Sequence, residues 1–563
     1  MTEIAYTALV DQALNELAEG EKAWAATSLA RRREILDDVQ QLAVQHGAEW
    51  VEAAIRIKQL NPESPLVGEE WISGPYPLAA GAAALSASLA KLEAGKSPLD
   101  GATFGTAAGR TTVNVLPLNV FDKLLLSGFS AQVWLQPGVS RDEAIRTAGL
   151  AQRDPGKTNG IGAVLGAGNI TSIAPLDTIY ELIAGNRVVA LKLNPVTDPL
   201  LPVLTKVLAP FIALGAVRIL TGGADVGTYL VQHDAVDHVH MTGSALTHDA
   251  IVFGVGEEGA RRKAAGEPIL HKDITSELGG VSPTIVVPGK WSKADIAFQA
   301  NHIATQRLHN NGYNCVASQV VVLSSKWAQR DEFVAALTKA IAAAPNRAAY
   351  YPGSDSRVAS AEATYPKAQR LGDRVLVVDP EDRTALLNTE YFSPVYGVVD
   401  LDSDGVEFVR EATRLANEDF VGTLGVNIVA APAAIKALGK AFDAMIETLH
   451  YGTVAVNAWT GVGYLTPHAT WGAFPGHTLS DVQSGIGVVH NGFLLEKPER
   501  TVVRGPFRPS PRSLVGGELS ISPKPPWFVN NRTAASTGRL LTAFTGKPSW
   551  AKLPAIFVSA LRG

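Results

Sequence analysis

Between residues 160 and 287 the chain alternates short β-branched runs with helix-length amphipathic stretches, and this alternation restricts its fold more than any other feature. The runs lie at 161–165, 188–193, 217–220 and 238–241, with helical patterns at 176–184 and 200–214 between them. Strands separated by helices of that length pair in parallel, because each crossover helix returns the chain to the same end of the sheet. Every run ends in small or polar residues: Gly166-Ala167-Gly168-Asn169, Asn194-Pro195, Thr221-Gly222-Gly223 and Thr242-Gly243-Ser244. Ligands bind outside the carboxyl ends of such strands, so these four loops are the candidate edge of a crevice. Residues 279–471 repeat the texture, with strands expected at 284–287, 320–323 and 375–378 and helices at 330–344 and 433–448. A second α/β domain is expected there.

At 563 residues the chain has room for two to four domains of about 100–200 residues each. Its 46% hydrophobic and 18% charged residues place it among ordinary globular proteins. A net charge of −5 without a basic run argues against a nucleic-acid partner. The single cysteine permits no intramolecular disulfide, which makes the cytoplasm the simpler compartment. The first twenty residues carry Glu3, Asp11, Glu16 and Glu19 and are expected as an amphipathic helix, not an export signal. Residues 76–92, rich in Ala and Ser, are short for a membrane span of about 20 apolar residues and are expected as a buried helix, so a membrane role is not expected. Beyond about residue 491, Pro498, Pro506, Pro509, Pro511, Pro523, Pro525 and Pro526 predict an extended, irregular tail.

Three residues stand out chemically. Cys315 follows the polar turn Asn310-Asn311-Gly312-Tyr313-Asn314 and precedes an apolar strand. A lone cysteine is usually an inert core residue, but a turn of this kind supplies the backbone amides and partial exposure that a reactive thiolate needs. Glu277 opens Glu277-Leu278-Gly279-Gly280, a carboxylate beside two glycines that allow close approach; a solvated glutamate before a turn is the alternative. Asn169 ends the first strand, where its amide can donate to a developing oxyanion or simply cap a helix.

In unbroken order from about residue 158 to 487, these elements resemble the aldehyde dehydrogenase superfamily. Its Gly-x-x-Cys motif is similar to Gly312-Tyr313-Asn314-Cys315, and its Glu-Leu-Gly-Gly motif is matched letter for letter at Glu277 to Gly280. The strand ending in Lys192, the Thr242-Gly243-Ser244 loop and Glu390-Tyr391-Phe392-Ser393-Pro394 complete the resemblance. It implies a Rossmann-type parallel-sheet cofactor domain, a second α/β catalytic domain and a small oligomerisation arm. The corresponding ranges are 1–134 with 158–278, 279–475, and 135–157 with 476–500, followed by a Pro-rich extension at 501–563.

The resemblance also implies roles. Cys315 would attack an aldehyde, Asn169 would hold the oxyanion, and Glu277 would activate water to release a carboxylic acid. Lys192, Gly227, Gly243, Ser244, Leu278, Glu390 and Phe392 would hold NAD or NADP. A homodimer or homotetramer is implied as well; no metal requirement is expected. A CoA-acylating relative, which generally lacks the glutamate, and a non-catalytic scaffold of the same fold are the alternatives. His238 and His240 share one face of a strand, yet no third ligand at metal spacing accompanies them.

Several positions depart from the family pattern. Ala167-Gly168 replaces the usual Pro-Trp, which predicts a less bulky and more mobile loop before Asn169. Pro195 replaces a glutamate common in NAD-preferring relatives, which opens the way to NADP. His248 replaces a second glycine, and residues 254–266 read as an insertion. Apolar stretches at 121–126 and 128–135 are candidate tunnel walls, with ordinary core as the alternative, and the tail is expected to lie across a neighbouring subunit.

Overall fold

A computed structural model describes residues 3–563 of the chain. The alternation at 160–287 forms a six-stranded sheet, in the order Gly485–Ile486, Asp273–Leu278, His238–Gly243, Ile161–Leu165, Val188–Lys192, Val217–Leu220. All pairings are parallel except that of the short outer strand Gly485–Ile486 with Asp273–Leu278. The chain winds outward from Ile161–Leu165 in one direction, then restarts at its other side with His238–Gly243. The switch point therefore falls between the Gly166–Asn169 and Thr242–Ser244 loops, where a doubly wound sheet opens its crevice.

Both faces of this sheet are covered, which is why its strands are nearly continuous in apolar residues. The N-terminal helices Glu3–Ala25 and Leu29–Gln45 help to cover it, and Arg32 ties them down. Its guanidinium donates to Asn186 Oδ1 at 2.6 Å and Gln152 Oε1 at 2.9 Å, while Trp24 Nε1 reaches the same Asn186 oxygen at 3.0 Å.

A larger sheet of eleven strands holds the second α/β unit. Seven central strands are parallel, in the order Pro498–Arg504, Thr453–Val456, Gly425–Val429, Ser282–Val286, Ser318–Ser324, Val395–Leu401, Arg374–Val378. Ser130–Leu135, Arg110–Leu116 and Phe104–Ala107 add antiparallel strands beyond Pro498–Arg504. The strand at the start of the tail thus pairs within its own chain on both sides.

The tail differs from the irregular segment its prolines predict. Those prolines all precede residue 527, and the remainder forms the helices Ala534–Gly546 and Leu553–Ala560. Small residues let the first of them lie against the Val67–Ile72 helix of the same chain. A Cβ on Gly68 would stand 2.3 Å from the Ala534 carbonyl carbon, and one on Gly538 would stand 3.1 Å from Gly68 O. Within its own chain the tail packs on the body of the protein. Pro75–Glu93 is a helix, and the insertion at 254–266 contains another, Gly256–Ala265. Among the described residues no helix is long and apolar enough to cross a membrane.

Candidate active site

The two sheets bring Glu277, Cys315 and Asn169 to one place. Glu277 is the penultimate residue of Asp273–Leu278, held in register by Gly485 on the neighbouring strand. Gly485 adopts φ 122°, and a Cβ there would lie 2.0 Å from Ser276 O, so only glycine closes this edge. Cys315 follows three left-handed residues in succession, Asn310 (φ 53°), Asn311 (φ 55°) and Gly312 (φ 81°). Asparagine tolerates this region better than other side chains do, which is why the turn reads Asn-Asn-Gly.

The thiol of Cys315 and the carboxyl of Glu277 face one another. Cys315 is half-buried, while Glu277 is only 3% exposed and its Oε1 has no hydrogen-bond partner. Burial pushes the Glu277 carboxyl up to about 7; the nearby charge of Asp177 adds to this, and the facing thiol and the Trp471 indole oppose it. Burial and the facing carboxylates push the Cys315 thiol well above its ordinary value. A carboxyl poised near neutrality beside a thiol can take the thiol's proton and later a water's.

Asn169 is buried, 6% exposed. Its Nδ2 donates to Tyr313 O at 2.8 Å, leaving its second N–H for another acceptor. Its carbonyl accepts from Asn310 Nδ2 at 3.1 Å and from Tyr350 Oη at 3.2 Å. The missing bulk of Gly168 is filled from next door, because a Cβ there would meet the Asn194 amide at 2.8 Å. The loop is less bulky, as the sequence predicts, but it is packed.

Behind the nucleophile turn lies a buried charge network that the sequence did not reveal. Glu69 Oε2 accepts from the Asn310 backbone N–H at 2.9 Å and pairs with Arg347, while Lys58 pairs with Glu70 at 2.9 Å. Burial would raise the Glu69 carboxyl, yet the Arg347 guanidinium holds it below its ordinary value. Tyr350 Oη donates to Asn310 Oδ1 at 3.0 Å, joining the network to both Asn310 and Asn169. The only sequence signal is an acidic pair, Glu69-Glu70, inside an apolar helix. Arg307 binds Ala317 O at 3.0 Å and Ser393 O, pinning the Cys315 turn to the Glu390–Pro394 segment. Tyr464 and Trp471 complete the apolar wall around Cys315, their rings 5.4 Å apart. Nothing local in the sequence marked them.

Four of the residues expected to hold a dinucleotide, Lys192, Gly243, Ser244 and Leu278, lie at or just beyond the carboxyl ends of their strands. Lys192 ends its strand, and Gly243 ends another beside Ser244, whose Oγ caps the Ala245–Phe253 helix by accepting from Thr247 N at 3.2 Å. Residues 243–247 are exposed, so the first amides of that helix are open to an anion. His248, fully buried, points away from this turn's exposed face. Glu390 presses against Gly279, where a Cβ would lie 2.1 Å from its Oε1; burial pushes its carboxyl up to about 8, against the Arg307 charge. Phe392 adopts φ 42° and packs 5.0 Å from the Tyr351 ring. Leu278 is buried beside Glu277. Gly227 sits inside the Ala224–Gln232 helix, with a Cβ there only in ordinary contact with Leu165 at 3.9 Å, so nothing at that position requires glycine. Open helix amides and glycine-lined strand ends suit a pyrophosphate, and Lys192 and Glu390 suit two riboses. His238 and His240 turn to the carboxylates of Glu181 (3.1 Å) and Asp177 (3.4 Å), and no group of three metal-ligating side chains occurs among the described residues.

Residues 157–353 match the model of the aldehyde dehydrogenase family. The chain is 31% identical over 172 residues to the N-succinylglutamate 5-semialdehyde dehydrogenase of Novosphingobium aromaticivorans, covering 30% of this chain and 33% of that relative. It is 25% identical over 262 residues to a benzaldehyde dehydrogenase [NAD(+)] of Pseudomonas putida, covering 43% and 48%. The matched stretches thus span a third to a half of these curated relatives. The crystal structure of the aldehyde dehydrogenase KauB from Pseudomonas aeruginosa superposes with a TM-score of 0.59 at 16% identity, over 88% of this chain and 89% of that one.

Proposed function

We propose, from the premise that the chain is a member of the aldehyde dehydrogenase superfamily, that it oxidises an aldehyde to a carboxylic acid with NAD(P)+, using Cys315 as nucleophile and Glu277 as base. The observation that carries this reading is the buried carboxyl of Glu277, raised to about 7 with one oxygen unpartnered, facing the chain's only cysteine.

In the proposed reaction the Cys315 proton passes to Glu277, and the thiolate attacks the aldehyde carbon. The resulting alkoxide is held by the second N–H of Asn169 and the backbone N–H of Cys315. Lys192, Gly243, Ser244 and Glu390 would hold a nicotinamide dinucleotide, which would supply the hydride acceptor needed to oxidise this adduct to a thioester. Once the proton taken from Cys315 has passed to solvent, Glu277 takes a proton from water, whose oxygen attacks the thioester carbonyl. The carbon–sulfur bond breaks, the acid leaves, and the sulfur returns as thiolate. Closed packing of Tyr464, Trp471 and Val316 around the sulfur keeps bulk solvent from the adduct before hydride leaves.

Product analysis with and without CoA tests the reading. Acid formation independent of CoA, abolished by Cys315→Ser, supports it; acyl-CoA as the product would make the chain an acylating relative. Unchanged NAD(P)H formation in Cys315→Ser would remove the catalytic assignment. A homodimer or homotetramer in the cytoplasm remains part of the same proposal, and light scattering on the purified chain measures the assembly.

A further inference from the structure

A cavity of about 360 Å3 lies outside the dinucleotide crevice, at the lower end of the ~300–1,000 Å3 range of ligand sites. Its walls come from four helices: Ala80 and Ala83 on Pro75–Glu93, Leu125 on Val120–Leu125, Leu541 and Phe544 on Ala534–Gly546, and Phe557 on Leu553–Ala560. Protein interiors leave few voids larger than a water molecule, and here alanines stand where larger side chains would fill the space. The last two helices lie beyond the segment that matches the family, so the tail supplies part of this chamber's wall.

The chamber is linked to the nucleophile's surroundings through residues 461–468. Leu465, Thr466, Pro467 and His468 line the chamber, while Tyr464 packs on the same apolar cluster as Cys315, with its Oη 2.7 Å from Ser172 Oγ. Leu465 and Pro467 also line a second, narrow crevice whose other walls include Tyr180 and Tyr464. Tyr180 and Tyr464 pack on the same apolar cluster as Cys315. The crevice, of about 20 Å3, therefore shares Leu465 and Pro467 with the chamber and Tyr180 and Tyr464 with the surroundings of the sulfur.

The lining decides what fits. No lysine or arginine borders the chamber. Its histidine, His468, is pushed down to about 4 by burial and is neutral near pH 7, and burial pushes the hydroxyl of Tyr76 up to about 12. Asp122 is occupied as the capping partner of the Asn119 and Leu118 backbone N–H groups. A semialdehyde carrying a second carboxylate would find no cation there, and an unpaired charge in such surroundings is strongly disfavoured. An unbranched methylene chain suits both the narrow passage and the apolar walls. The volume accommodates on the order of ten methylenes, each close in size to water's ~30 Å3 share of the liquid.

We propose that this chamber takes the hydrocarbon tail of a medium- to long-chain aliphatic aldehyde whose carbonyl lies at Cys315, so that the C-terminal helices set chain-length specificity. The inference rests on the catalytic reading of Cys315 given above. The series propanal, hexanal, octanal and decanal tests it: kcat/KM should rise by up to about fourfold per methylene, from the transfer of each CH2 out of water, until the chamber is full. Ala83→Phe, which fills the chamber from one wall, should lower kcat/KM for decanal at least tenfold and leave that for propanal unchanged. Ala560→Trp, from the Leu553–Ala560 helix, serves if the first variant does not fold. Calorimetric titration with decanamide, which cannot react, should show binding to the parent protein that weakens at least tenfold in the same variant. Propanal oxidation with a flat chain-length series, or equal loss for propanal and decanal, overturns the chamber and leaves the catalytic reading standing. Decanamide binding that ignores the filled chamber also overturns it. Absence of turnover at every chain length overturns the catalytic reading, and this inference with it.

Discussion

Replacing Glu277 by glutamine removes the ionisable group and preserves the shape of the side chain, so its effects on rate and on stability can be separated. In the folded protein the carboxyl titrates at about 7, against 4.5 for a free glutamate. The fold therefore prefers the protonated form, and between those values it binds a proton that the unfolded chain has released. Stability consequently falls as pH rises through this window, reaching a loss of about 3 kcal/mol above pH 7. Glu277→Gln carries no such loss. Its thermal midpoint should exceed the parent's by a few degrees at pH 8.5 and match it at pH 4.5. Its turnover should fall by roughly 10²–10⁴-fold, the range general-base catalysis supplies, and the rise of parental activity through pH 7 should vanish. Scanning calorimetry at the two pH values and a pH–rate profile measure these effects. A variant less stable than the parent at pH 8.5, or one retaining the inflection near pH 7, would refute the assignment of that titration to Glu277.

Asn169→Ala removes one of two oxyanion donors and should lower kcat by roughly 10²–10³-fold with little change in KM, read by steady-state kinetics. Arg347→Met leaves Glu69 buried without its counter-charge and should destabilise the protein by about 3–5 kcal/mol in denaturant titrations while slowing turnover, because Asn310 loses its anchored partner. NAD+ should be preferred over NADP+ by about tenfold or more in kcat/KM, since the carboxylates of Asp198 and Asp225 lie near Lys192 and would repel a 2′-phosphate. A preference for NADP+ would show that the glutamate missing at Pro195 decides the matter instead.

Much of this was legible because it is local. Strand ends announced themselves by Gly166 to Asn169 and by Thr242 to Ser244, and the parallel order followed from the spacing of runs and helices. Asn310-Asn311-Gly312 identified a turn whose left-handed backbone those residues alone accept readily. What stayed hidden depends on packing between distant segments. Glu69 meets Asn310 and Arg347 only after two α/β units have come together, and no spacing rule links residues so far apart. Tyr464 and Trp471 read as ordinary aromatic residues of a loop. The tail was misjudged because its prolines crowd before residue 527, while the small residues that dock the Ala534–Gly546 helix on Gly68 carry no strong helical pattern. Gly168 suggested mobility because its own side chain is absent; Asn194, distant in sequence, fills that space.

The most direct test of a sulfur and a carboxylate working as a pair is to stop the reaction between them. Glu277→Gln protein mixed with an aldehyde and NAD+, quenched in acid and digested, should carry the acyl mass on the peptide containing Cys315. An unmodified Cys315 peptide accompanied by stoichiometric NADH would contradict the account.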